Sequence, residues 1–515
     1  MAARDAKRPR NAARSRFPDV RQRQKVRPEP HGEVVRKERI MPIRSLLAPI
    51  AIAAAVVPSP TLGVGADSPF RGHEGLWEHY EGTKTCLRCH REQAETFFRS
   101  VHYQWKGPTP DLQGAPGGKL GKINVINDFC TNPRINWIGE VRAADGRVLA
   151  KGCSKCHAGR GRMPSEEMTE EQLLNIDCLI CHASGYRRDL YRNADGSWEW
   201  KPILWQNQEG LDIVSQRISL PKKVMCLRCH AGSGGGPNYK RGDLEYRLHD
   251  CDRSFDVHMG RDGAGFECID CHMGEDHRVR GRGADLADRE MPEAPLDCAD
   301  CHGEEPHDVK VLDRHTARVH CTACHIPEFA KDDPTDVYRD WSTPVWQEDR
   351  GRWYMKMELR EHVIPVYAWF DGRTRMTLAG RPVSPLPSGE IPIAVPVGSR
   401  DEPRAKIYPF KVHRAKLPLL EERNWLVPIV TEEYYASADG DITPFVQEAA
   451  EKFYGLHDIR FRWVETVRYM GLFHEVVPAD QALGCLDCHS PNGRLDWKAL
   501  GYPGDPLERL LEGSP

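Results

Sequence analysis

Cys226-Leu-Arg-Cys229-His230, followed directly by Ala-Gly-Ser-Gly-Gly-Gly-Pro-Asn-Tyr-Lys240-Arg-Gly-Asp-Leu244, is the stretch on which the reading of this chain turns. Its first five residues recur. Sixteen of the 18 cysteines fall in the pattern Cys-x-x-Cys-His: Cys86/Cys89, Cys153/Cys156, Cys178/Cys181, Cys226/Cys229, Cys268/Cys271, Cys298/Cys301, Cys321/Cys324 and Cys485/Cys488. The histidines that close them are His90, His157, His182, His230, His272, His302, His325 and His489. Chance at this Cys and His content gives about 0.03 such pentapeptides rather than eight. Two residues between the cysteines let one turn of chain present both sulfurs to the vinyl groups of a haem, and the next residue then lies beneath the iron as its proximal imidazole. Zinc ribbons also use Cys-x-x-Cys pairs but need no His after each second Cys. Disulfides are the other reading for an exported chain. The pattern therefore predicts eight covalently bound haems c.

Composition agrees with a protein filled by something other than side chains. Mean hydropathy is −0.59, 40 % of residues are hydrophobic, and there are 44 Gly and 39 Pro among 515 residues. The net charge of −3 hides a split: residues 1–40 carry 13 Lys/Arg against 5 Asp/Glu, and the chain from Asp67 carries 58 against 70. An acidic body argues against a nucleic-acid partner. Residues 1–40 read as disordered or untranslated. Met41 opens a signal peptide over 41–66: a positive Met41-Pro-Ile-Arg44, an apolar run from Ser45 to Val57, and small residues at Val64-Gly65-Ala66. No later segment has the 18 or so apolar residues of a membrane span, so a soluble periplasmic protein is expected.

Seven motifs crowd into 86–325 and the eighth stands at 485–489. That density leaves no room for separate apolar cores. The expected fold is mainly α with extensive irregular loops: one domain over 67–515, wrapped round a packed haem array. The gap before Cys485 is expected to hold irregular Pro-rich chain at 382–396 and two helices, roughly 444–454 and 460–474.

Beyond the motifs, several longer stretches resemble the octahaem cytochromes c of the tetrathionate reductase type, over essentially the whole of Cys86 to Pro506. They are INDFC at 126–130, IDCLICH at 176–182, CLRCHAGSGGGPNYKRGDL at 226–244, DVHM at 256–259, CHIPEFA at 324–330, AKIYPFKVHR at 405–414 and CLDCHSPNGRLDWKALGYPGDP at 485–506. The resemblance implies a periplasmic reductase of tetrathionate, nitrite or hydroxylamine. It implies seven bis-histidine haems and one catalytic haem, on Cys153, Cys156 and His157, with Lys240 as distal ligand; Lys222 and Lys223 are rivals. A lysine ligates only as the neutral amine, and the glycines before Lys240 would let it reach back. Family matches for the other distal ligands are His102, His258, His277, His307, His315, His413 and His474, with His320 a competitor for the place of His315.

Two cysteines stand outside the motifs. The resemblance places Cys130 beside the catalytic haem, where a thiol could attack a polythionate S–S bond or bind its product. A Cys130–Cys251 disulfide and a buried inert thiol are the other readings. An anionic substrate on an acidic body needs a local cationic pocket, for which Arg160 and Arg162, with Arg134 and Lys240, are candidates. Electrons would come from a quinol-linked or small cytochrome donor. The competing functions are a pure electron conduit, which a histidine opposite His157 would favour, and hydroxylamine oxidation.

Overall fold

The structure is a computed structural model that describes residues 71–513 except 116, 143–147, 195–197, 205–209, 284, 286–287, 349–350 and 436. The basic stretch 1–40 and the signal peptide 41–66 lie outside the described residues. No described helix is long and apolar enough to cross a membrane.

The motifs build themselves locally. In six of them the histidine N–H donates to the carbonyl of the first cysteine four residues back, at 2.8–3.1 Å (His90, His182, His272, His302, His325 and His489). One helical turn brings i, i+3 and i+4 to one face, and in Cys-x-x-Cys-His those are the two sulfurs and the imidazole. These turns are minimal; Cys268–Cys271 and Cys485–Cys488 are four residues each. The fourth motif ends a longer helix, α1 (Lys223–His230). Between the motifs run loops and short two-stranded ribbons such as Tyr186–Arg192 with Trp198–Leu204. Apolar clusters in and around this region hold five buried residues or fewer.

The stretch between the seventh and eighth motifs departs from expectation. It folds into an eight-stranded sheet: β1 (Thr335–Gln347), β2 (Arg352–Arg360), β3 (Val366–Phe370), β4 (Thr374–Met376), β5 (Ile391–Pro396), β6 (Lys406–Leu420), β7 (Trp425–Leu426) and β8 (Phe461–Gly471). The strand order is β2-β1-β6-β8-β5-β4, with β3 and β7 also paired to β6. The long β6 is its axis, antiparallel to β8 from Phe410↔Gly471 to Leu420↔Phe461 and parallel to β1 over Arg414↔Tyr338 to Lys416↔Asp340. Helix α2 (Thr443–Tyr454) opens with Pro444 in its first turn and closes on Gly455 in the left-handed region, φ 66°. Its Val446, Ala449 and Ala450 pack with Ile391, Ile393, Leu417 and Leu419 in the largest apolar core of the described residues.

Two expectations are thereby corrected. The fold is mixed, with 25 % helix and 23 % strand, rather than mainly α. The helix expected at 460–474 is strand β8, because Val464, Thr466, Arg468 and Met470 are buried at period two between β6 and β5. The Pro-rich stretch at 382–396 contributes β5 to the same sheet.

Candidate active site

The motif histidines stand opposite other histidines at one recurrent distance. Ring centres are 5.8 Å apart for His73–His90, 6.2 Å for His102–His230, 6.0 Å for His258–His302, 6.2 Å for His272–His474, 6.5 Å for His307–His325 and 6.2 Å for His315–His489. A metal–nitrogen bond of about 2.0 Å and a ring radius of about 1.1 Å put two imidazoles on one iron about 6.2 Å apart. His277, whose Nδ1 is 2.9 Å from Thr96 Oγ1, is within electrostatic reach of His182.

The outer ring nitrogens are occupied. Nδ1 of His182 donates to Ser219 O at 2.9 Å, that of His272 to Arg280 O at 2.9 Å and that of His315 to Val311 O at 2.7 Å. Nδ1 of His307 donates to Asp313 at 2.9 Å, of His474 to Asp243 at 3.1 Å and of His489 to Asp505 at 2.6 Å. Such partners fix the ring and leave Nε2 for a metal. The residues present therefore fit a haem at these motifs.

None of the sixteen motif cysteines is joined in a disulfide, so all remain available for thioether linkage. Cys89 in the first motif, Cys301 in the sixth and Cys485 in the eighth are exposed, whereas the other thirteen are partly buried. The reason is local. Single turns such as Ala299–His302 and Cys485–Cys488 contain no buried residue, so little of the chain packs over their sulfurs.

His157 differs from the other motif histidines. It is fully buried and neither ring nitrogen has a hydrogen-bond partner. Tyr103, Trp105 and Trp137 enclose it at ring distances of 4.9, 6.0 and 4.8 Å. Burial, then Arg188, pulls it down to about 3, so the ring is neutral, the form a metal binds.

Lys122, with Nζ 5.5 Å from the centre of the Trp105 ring, is within electrostatic reach of the same motif's Cys153 and Cys156, of Cys130 and of Lys240. Burial and the Lys122 charge pull the Lys240 amine down to about 8, against the attraction of Asp285 and Asp128. The loop carrying Lys240 is folded back by Gly234, φ +88°, where a Cβ would come within 3.1 Å of Lys240. Lys411 on β6 donates its buried ammonium to the carbonyls of Tyr239 (2.7 Å) and Lys240 (3.0 Å). Arg339 on β1 donates to Gly234 O and to Phe129 O, tying the Lys240 loop to the segment of Cys130.

The sheet supplies the polar wall. His413 and Arg468 are cross-strand neighbours on β6 and β8. Both donate to buried Asp128: His413 Nδ1 to Oδ2 at 2.7 Å and Arg468 Nε to Oδ1 at 2.9 Å. Arg468 also pairs with Asp285. Burial alone would raise Asp128, but Arg468 and His413 more than offset it and hold the carboxyl well below the usual range. Asp288 has no such partner; burial, then Asp285, lifts it to about 6.

Residues 331–492 match a family model described as bacterial cytochrome c. An uncharacterised protein of Archaeoglobus fulgidus is 32 % identical over 287 residues, which is 48 % of this chain and 92 % of that one. The crystal structure of octahaem cytochrome c from Shewanella oneidensis superposes with a TM-score of 0.67 at 30 % identity, over 83 % of this chain and 94 % of that one. This chain belongs to the octahaem c-type cytochromes. It is a redox protein with covalently bound haem c.

Within this octahaem cytochrome, five of the expected distal histidines, His102, His258, His307, His315 and His474, face a motif histidine, and His277 lies within electrostatic reach of one. His413 does not face one. Its Nδ1 is spent on Asp128, its Nε2 lies 3.6 Å from Asp336, and its ring stacks on Phe129 at 4.0 Å. The place opposite His90 belongs to His73, whose position before the first motif carries no family-like stretch. His320 stacks on Tyr408 at 4.1 Å and bonds Thr322, so it does not compete with His315. Lys223 donates to Met259 O at 2.9 Å, away from Lys240.

The expected cationic pocket also moves. Arg162 is more than half exposed and pairs with Glu171 at 3.0 Å. Arg160 lines a cavity of about 180 Å³ with Tyr80, Gly82, Asp177 and Tyr186, on the first-motif side. Arg134 lies over Phe453 at 5.4 Å. Lys122 and Arg468 are cations within electrostatic reach of the Lys240 amine, and sequence reasoning missed both. Arg468 sits on the stretch expected to be a helix, so its strand partner His413 was invisible. Cys130 and Cys251 are both free thiols, so the disulfide between them is not formed. Asn127 Nδ2 donates to Cys130 Sγ at 3.0 Å, and Cys251 is packed with Leu227, Ala231 and Leu248 in a small core.

Proposed function

We propose that this protein is a periplasmic reductase of a small sulfur or nitrogen compound (tetrathionate, nitrite or hydroxylamine) and that the reaction takes place at the second motif. One observation carries the reading. Six motif histidines face another histidine and His182 has His277 within electrostatic reach, while the second motif's Cys153 and Cys156 are within electrostatic reach of Lys122, which in turn acts on the buried amine of Lys240.

All eight motifs are taken to hold haem c through their sixteen cysteines and eight histidines, with His73, His102, His258, His277, His307, His315 and His474 as second ligands. When bound, these haems would store electrons and pass them to a substrate at the second motif. The chain does the rest. An amine pulled down to about 8 spends an appreciable fraction of time neutral near pH 7 and can ligate; once released and protonated it is an ammonium facing an anion. Lys122 adds a second positive charge. Lys411 and Arg339 keep the Lys240 loop in place. Asp288, held up to about 6, keeps a proton available beside the site. Cys130, with its sulfur held by Asn127, is placed for attack on an S–S bond or for binding a sulfur product. Breaking the central S–S bond of tetrathionate takes two electrons and yields two thiosulfates, so no proton is consumed; the nitrogen substrates need protons. The electron donor is a quinol-linked or small cytochrome.

The test is reduced-viologen assay of wild type, Lys240→Ala and Cys130→Ser on all three compounds. Lys240→Ala is expected to lose at least about tenfold on each, in the range seen when groups that tune a metal ligand are removed. Cys130→Ser is expected to lose tetrathionate turnover alone. Full rates on all three in Lys240→Ala would overturn the assignment.

A further inference from the structure

His413 on β6 is fully buried and stands between two fully buried carboxylates, those of Asp128 and of Asp336 on β1. Its Nδ1 donates to Asp128 Oδ2 at 2.7 Å. Its Nε2 faces Asp336 Oδ1 at 3.6 Å, and neither of these two atoms has a hydrogen-bond partner. With a lone pair on Nε2, two buried acceptors would face each other and each would lack a donor. A proton on Nε2 makes the pair an imidazolium and a carboxylate at ion-pair distance. The neighbouring cations leave Asp336 Oδ1 to His413. Arg468 on β8 donates to Asp128 Oδ1 and to Asp285, Arg339 on β1 donates to Asp336 Oδ2, and Lys411 on β6 donates to the carbonyls of Tyr239 and Lys240. The face of the ring meets Phe129, which stacks on it at 4.0 Å with 22° between the planes. Lys240 Nζ is 6.0 Å from the centre of the same Phe129 ring, so Phe129 links His413 to the Lys240 amine.

We infer that His413 is a positioning residue for the Cys130 thiol: clamped as an imidazolium between Asp128 and Asp336, it holds Asp128 by one nitrogen and Phe129 by its face. Asp128, Phe129 and Cys130 are consecutive, so fixing the first two sets where the third stands. Asp336 anchors the clamp to β1. The same strand holds the backbone of the segment: Trp341 Nε1 donates to the Asp128 carbonyl at 2.9 Å, and Arg339 donates to the Phe129 carbonyl. Asn127 completes the arrangement by accepting from the Phe129 amide at 3.1 Å and donating to Cys130 Sγ at 3.0 Å. The placement of the thiol stands without any substrate. Its effect on turnover rests on the part proposed for Cys130 above.

The test labels the haem-loaded protein with iodoacetamide and follows the Cys130 peptide by mass spectrometry, with the buried Cys251 as internal control. His413→Leu keeps bulk but has no nitrogen. It is expected to raise the Cys130 labelling rate at least about fivefold by loosening the segment locally, with Cys251 unchanged. His413→Gln retains a donor for Asp128 without the ring face, and is expected to fall between the two; it carries the same comparison should His413→Leu fail to fold. Wild-type labelling of Cys130 in both variants, or Cys251 labelled in step with Cys130, would overturn the inference. The ion pair is read by a double-mutant cycle of His413→Gln with Asp336→Asn in denaturant. Their effects on the unfolding constant are expected to depart from additivity at least about fivefold, and additive effects would mean a neutral ring and no clamp. With reduced viologen, the ratio of tetrathionate to nitrite kcat in His413→Leu is expected to fall at least about fivefold with KM for tetrathionate unchanged. If Cys130→Ser leaves tetrathionate turnover intact, the proposed chemistry of the thiol fails, and the labelling rates still decide whether His413 positions it.

Discussion

The motif region and the sheet solve opposite problems. In 86–325 the chain makes single turns, short ribbons and apolar clusters of at most five buried residues. Between the seventh and eighth motifs it makes eight strands and two helices, Thr431–Tyr435 and α2, around one large apolar core, with no motif at all. Side chains alone do not fill the first region; haem surface must supply the burial that offsets its conformational entropy. The second region has its own. Yet the distinctive chemistry sits where the two meet: the motif region brings His157, Cys130 and Lys240, and the sheet brings Lys411, Arg339, His413 and Arg468 to hold them.

The largest expected effect breaks the two regions apart. Chain produced without haem attachment should lose the fold of 86–325, while the sheet region keeps strand signal in circular dichroism and resists protease over roughly 331–475. Unfolding of the whole chain in one step without haem would show that the sheet also depends on the array.

Next in size is the seam. Arg468→Met removes the partner of both Asp128 and Asp285, and stranding buried charges of this kind costs about 3–5 kcal/mol. Denaturant unfolding of the loaded protein should show that loss. The pH dependence has a definite sign. Because Asp128 is held below its usual range, its contribution is present above about pH 4 and is lost as pH falls through the lowered value. Asp128→Asn should accordingly be less stable than wild type at neutral pH and converge with it in acid. A constant gap at all pH values would contradict the ionised pair.

How much of this was legible in the sequence follows the same division. The motifs were readable because covalent attachment fixes residue type and spacing within five positions. How far the chain covers each sulfur was not readable, because Cys89 and Cys301 have the same local pattern as the partly buried cysteines and differ only in what packs beside them. Distal ligands come from distant chain, and the family-like stretches pointed to six of them. His413 misled because it lies in such a stretch and is buried, but as the strand partner of Arg468 rather than as a ligand. The sheet was unreadable as a sheet because prolines at 385, 387, 392 and 396 suggested irregular chain, and because Phe461–Gly471 mixes charged and apolar residues in a way that also fits a helix. Its alternation is visible only once β6 and β5 flank it. Lys122 and Arg468 carry no motif; only the fold brings them to Lys240.

His73 and His413 give a sharper, smaller test of which histidines belong to the array. His73→Ala should convert one low-spin iron centre to high spin, seen as a new high-spin signal in electron paramagnetic resonance, with little change in the sheet. His413→Ala should leave the count of low-spin centres unchanged and should instead cost about 1–3 kcal/mol, the penalty of leaving the buried Asp128 acceptor short of a donor. A lost low-spin centre in His413→Ala would return that residue to the ligands and leave Asp128 to Arg468 alone.

The smallest effect is expected at Arg162. Five residues after His157, it looked from the sequence like part of a substrate pocket, but its guanidinium is more than half exposed and pairs with Glu171 at the surface. Exposed pairs contribute about 0–1 kcal/mol, weakened further by salt. Arg162→Ala should therefore leave KM for nitrite and tetrathionate unchanged, whereas Lys122→Ala should raise both, because Lys122 is half-buried within electrostatic reach of Cys130 and Lys240 and its charge is less screened. The two variants remove the same formal charge from the same chain. If KM followed the net charge of the acidic body, both would shift it equally; a shift in Lys122→Ala alone would assign anion binding to the place where sheet and motif meet.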